Sequence, residues 1–98
     1  MIATLVKAEM ANWNSDARLY KLDSAFDGHH YVAVERWDAI GDFGPETHIY
    51  AAYPNGGAVA HPGGGLSPQR RYFGELTHDD ALAELGYTVV EPTPEVES

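Results

Sequence analysis

Cysteine is absent from the 98 residues, which removes disulfides, thiolate metal ligands and thiol nucleophiles together. Its absence fits a reducing compartment. Basic residues are scarce. Six Lys and Arg stand against fifteen Asp and Glu, for a formal charge of −9 and a pI near 4.7. Nucleic-acid binding depends on Lys and Arg neutralising phosphates, and the one adjacent basic pair here is Arg70-Arg71, so direct binding of nucleic acid is disfavoured. Long apolar runs are missing too. Residues 31–34 and 58–60 fall far short of the ~18 residues that a membrane span needs. The first residues show no basic region, long apolar stretch and cleavage site of a secretory leader. The expectation is a cytoplasmic protein with no membrane partner.

What is present is enough for a core: 44% of the residues are hydrophobic and 11% aromatic, the composition of a folded domain. The length fits one domain. We place it at residues 17–91, behind an N-terminal extension at 1–16 and ahead of a disordered acidic tail at 92–98.

Alternation of apolar and polar residues predicts strands at 17–22, 30–37, 46–53 and 87–91, and a short one at 58–60 after the Asn55-Gly56 turn. A loop of about six residues is expected between the first two. Residues 1–13 fit either a helical stripe or a strand, with a strand favoured at the start. Thr77 followed by Asp79 and Asp80 has the form of a helix N-cap with acids in the first turn. Ala81, Leu82 and Leu85 then recur at helical spacing, and Gly86 closes the helix. The expected fold class is α+β, an antiparallel sheet of four to five strands with one short C-terminal helix. Residues 61–68, with three glycines and two prolines, read as a loop that orders, if at all, when a partner docks.

No catalytic constellation emerges. The serines Ser15, Ser24, Ser67 and Ser98 lie in turns or tails without a nucleophile elbow. The histidines His29, His30, His48, His61 and His78 show no ligand spacing, so no metal or other cofactor is expected. His30 and His48 are the pair expected to meet across strands. Two features point to a protein partner instead. Aromatic residues are numerous for so small a core, and Trp37, Tyr50 and Tyr53 are candidates for an exposed sheet face. From residue 73 onward the chain is acidic without a single Lys or Arg. Glu75, Asp79, Asp80 and Glu84 are therefore candidates for docking a basic partner.

The segments 17–23, Asp27-Gly28-His29 with Tyr31-Val32, Gly44-Pro45-Glu46-Thr47 with Ile49-Tyr50, Gly74-Glu75-Leu76, and Ala81-Leu82 with Leu85-Gly86-Tyr87 together resemble small uncharacterised proteins of actinobacteria and their bacteriophages. The likeness covers roughly residues 17–90 and departs at the glycine-rich stretch 55–68. It implies a phage or prophage accessory gene and carries over no site residue. The function expected is a non-enzymatic interaction module that binds and modulates a host protein in the host cytoplasm. The alternative is a structural or decoration subunit of a phage particle, located in the virion, or a small homo-oligomer.

Overall fold

A computed structural model describes residues 1–10, 13, 16–39, 41–42, 44–60, 68–74 and 76–90. Among the described residues the fold is α+β, with six strands in one mixed sheet and one short helix. The strands are β1 (Ile2–Lys7), β2 (Asp16–Phe26), β3 (His29–Trp37), β4 (Glu46–Ala51), β5 (Arg70–Phe73) and β6 (Thr88–Val90), with α1 (His78–Glu84) between the last two. Their order across the sheet is β5-β4-β3-β2-β1-β6. β1 to β5 form an antiparallel meander, and the chain then passes over one face through α1 to lay β6 parallel to β1.

Several expectations need correction. The sheet has six strands rather than four or five, and it is not wholly antiparallel, because β6 pairs with β1 in parallel register. The segment read as an N-terminal extension supplies β1. The loop of about six residues expected between the first two strands is absent, and Asp23 and Ser24 lie within β2. β2 runs through them to Phe26 by way of an irregularity between Lys21 and Phe26. The reversal is the two-residue turn Asp27-Gly28, with φ of 50° and 82°, the geometry whose twist suits a tight hairpin. The strand expected at 58–60 reduces to a single bridge between Ala52 and Ala58. The loop at 61–67 and the tail at 91–98 lie outside the described residues.

Alternation sends side chains of each strand to two faces. On the helix side, Tyr20, Leu22, Val32, Val34 and Ile49 pack with Ala81, Leu82 and Tyr87. Thr77 caps α1 through a capping box with Asp80. At the other end Gly86 N–H bonds Ala83 O and Tyr87 N–H bonds Leu82 O, each at 3.0 Å, the paired closure that turns the chain toward β6. On the open side, Leu19, Ala33, Ala17 and Ala52 form a smaller core under Met10, with Trp13, Tyr31 and Tyr50 against it.

Gly56 locks that smaller core. The Tyr53–Gly56 turn closes with Gly56 N–H on Tyr53 O at 2.8 Å, and Gly56 itself has φ +95°, where an added Cβ would stand 3.1 Å from Met10 Cε. Its carbonyl accepts the Trp13 indole N–H at 3.3 Å. Gly56→Ala should therefore lower the unfolding free energy by about 1–3 kcal/mol through backbone strain and displacement of Met10. Urea denaturation measures it, and a loss below about 0.5 kcal/mol would refute the assignment.

Candidate interaction face

Strand register arranges the open face in rows. Trp37 of β3 stands opposite Glu46 of β4, which stands opposite Phe73 of β5. The next row along is Glu35, His48 and Arg71, and the one after it holds Ala33 and Tyr50. Two aromatic side chains thus flank a carboxylate at one end of the sheet. Both are open to solvent, Trp37 at 38% and Phe73 at 73%.

A polar chain links these rows. The Trp37 indole N–H donates to Glu35 Oε1 at 2.8 Å. Glu35 is buried at 5% exposure, and such a carboxylate persists only when bonded. The His48 ring lies between the two glutamates, with Nε2 2.9 Å from Glu46 Oε1 and Nδ1 3.7 Å from Glu35 Oε1. Arg71 Nη2 donates to the same Glu46 oxygen at 3.0 Å, and its guanidinium lies 5.3 Å from the Phe73 ring centre. The bond to His48, then that to Arg71, holds the Glu46 carboxyl below its ordinary range. The rings continue the chain edgewise. His48 and Tyr50 are 6.3 Å apart, and Tyr50 and Trp13 are 5.2 Å apart. Burial, then the Glu35 charge, pushes the Tyr50 hydroxyl up.

The residues predicted from sequence divide. Trp37 and Tyr50 belong to this face, though Tyr50 is half-buried as its support. Tyr53 is exposed but sits in the turn beyond the far end of β4, about 20 Å from Glu46 by strand rise. Asp79 accepts a 3.4 Å bond from the Tyr20 hydroxyl, and Asp80 is engaged by the Thr77 backbone in the capping box. Both acids of the first turn thus serve the fold. Glu84 is exposed, and Glu75 lies outside the described residues. His30 and His48 do not meet: His30 Nδ1 is 3.1 Å from Leu22 O, whereas His48 stands across from Glu35.

Sequence reasoning missed Glu35, Glu46, His48, Arg71 and Phe73 as members of one site. No local signal marked the last two, because residues 70–73 form a strand only four residues long with two arginines. Among the described residues, no group of three or more His, Asp or Glu is placed to hold a metal ion, and no helix is long and apolar enough to cross a membrane. No family model matches the chain, and no curated protein or solved structure is similar to it.

Proposed function

We propose that this chain is a non-enzymatic protein-interaction module, an accessory protein of phage or prophage origin that binds and modulates a basic host protein through the open face of its sheet. The observation that supports the reading is the row Trp37, Glu46, Phe73. Exposed aromatic residues are enriched at interface centres, and the Glu46 carboxylate between these two offers a charge to a basic partner. A net charge of −9 draws a basic partner from a distance. Since Asp79 and Asp80 are committed to the start of α1, the helix adds to the field and the sheet makes the contact.

The test captures the partner from host lysate and compares the wild type with a Trp37→Ala/Phe73→Ser variant of unchanged circular dichroism. Affinity should fall at least tenfold, about 1.4 kcal/mol, and wild-type binding should weaken between about 50 and 500 mM salt. Full affinity in that variant, with loss on Glu84→Lys, would move the site to the helix and refute this reading.

A second reading, a structural or decoration subunit or small homo-oligomer, draws on the other edge of the sheet. β6 is an edge of three uncharged β-branched residues, Val90 among them exposed, beside exposed Ile2 of β1, and edges left without charge invite pairing. A monomeric mass at all concentrations would exclude it.

A further inference from the structure

We propose that the open face recognises an arginine side chain of its partner, and that Arg71 occupies that arginine's place until the partner displaces it. The inference rests on the sheet face being the docking surface and specifies what it takes.

Arg71 shows the chemistry of the place. Its guanidinium bonds Glu46 Oε1 at 3.0 Å and lies over the Phe73 ring at 5.3 Å. A carboxylate beside an aromatic face suits a planar, delocalised cation, which bonds through its edge and stacks through its plane. Trp37, on the far side of Glu46 in the same row, offers a second ring to an incoming guanidinium. An ammonium group, compact and strongly hydrated, gains less from such a pair. The site is therefore selective for arginine over lysine.

The internal contact is also easy to break. The Arg71 side chain is 53% exposed and Phe73 is 73% exposed, so the pair is solvated, and solvated ion pairs hold weakly. Glu46 keeps its bond to His48 at 2.9 Å when Arg71 leaves, so its carboxylate is never stranded. Arg71 competes intramolecularly at high effective concentration. A lone cation in solution loses that competition, and a partner whose arginine is backed by neighbouring contacts wins it. The contact acts as a threshold.

Arg70 supplies the control. It lies on the same strand but the other face, 4.9 Å over the Phe26 ring and 4.0 Å from Asp27. Arg70→Ala and Arg71→Ala change the net charge equally, and only the second opens the place. The experiment titrates each variant with a short arginine–glycine peptide and with its lysine counterpart, following the Trp37 indole N–H resonance. Arg71→Ala should bind the arginine peptide about fivefold more tightly than Arg70→Ala does, the scale of an exposed cation–π contact joined to a charge-assisted bond. The lysine peptide should show a smaller gain, and Glu46→Gln in the Arg71→Ala background should cancel it. Equal affinities in the two alanine variants, or weaker binding by Arg71→Ala, would overturn the proposal. If those results come with loss of the host partner in the Trp37→Ala/Phe73→Ser variant, only the arginine assignment fails. If that variant keeps the partner, the docking reading itself fails.

Discussion

Truncating Leu82 to alanine should lower the unfolding free energy by about 2–5 kcal/mol, the usual cost of a large-to-small change at a site that cannot collapse. Leu82 is fully buried and is the largest side chain that α1 sends into the helix-side core, which also holds Tyr20, Leu22, Val32, Val34 and Ile49. The helix is only seven residues long, too short to persist without tertiary packing. Losing this anchor therefore loosens α1 and the path to β6 together. A domain of this size has a total stability on the order of 5–15 kcal/mol, so the variant should melt on the order of 10 °C lower or more. Leu85→Ala, at the half-buried C-cap, should lose only about 1 kcal/mol. A Leu82→Ala loss below about 1 kcal/mol would mean that α1 is not held by this core.

The middle of the sheet was legible because its signals are local. Residues 30–37 alternate, and the structure puts Val32 and Val34 under the helix and Ala33 on the other side. The helix was legible at both ends, from Thr77 with Asp80 and from Gly86. The edges were legible only in part, since the last strand was expected at 87–91 but its direction and the whole of β5 were not. β5 is four residues with two arginines, too short and too polar for periodicity to mark it. β6 carries no sign of its direction. Whether a last strand joins parallel or antiparallel depends on where the chain emerges after α1, and that is a tertiary outcome.

The candidate site was hidden for the same reason. Trp37, Glu46 and Phe73 are distant in the chain and become neighbours only through two consecutive strand registers. A slip of one residue in either would send one of them to the helix side. Acidity was the more visible signal in the sequence, and it pointed to Asp79 and Asp80. The fold spends both on the start of α1.

Acidification below pH ~6.5 should destabilise the protein through His78, before the carboxylates begin to titrate. His78 is buried at 3% exposure beneath the start of α1. Its Nε2 lies 2.9 Å from the Asp16 carbonyl oxygen and 3.5 Å from Asp16 Oδ1, so the neutral ring donates to the carbonyl and ties α1 to β2. Burial lowers its proton affinity most. The Asp16 bond and charge act the other way, while Arg18 and Arg36 add to the lowering, and the net shift is downward. The unfolded chain therefore binds a proton at a pH where the folded chain does not. Above both values the ring is neutral in each state and the stability is independent of pH. Between the unfolded value near 6.5 and the lower folded value, stability falls as pH falls, by at most about 1.4 kcal/mol per pH unit. Below the folded value this group adds no further slope. Glu46, also lowered, loses its contribution only from about pH 4.5 downward, so the two windows are separate. His78→Gln retains an N–H for the Asp16 carbonyl and removes the titration. Urea unfolding at pH 7.5 and pH 5.5 should show a smaller stability difference in this variant than in the wild type, by up to about 1 kcal/mol. An unchanged difference would show that His78 takes up no proton on unfolding in that range, and that the tie between α1 and β2 is insensitive to acid.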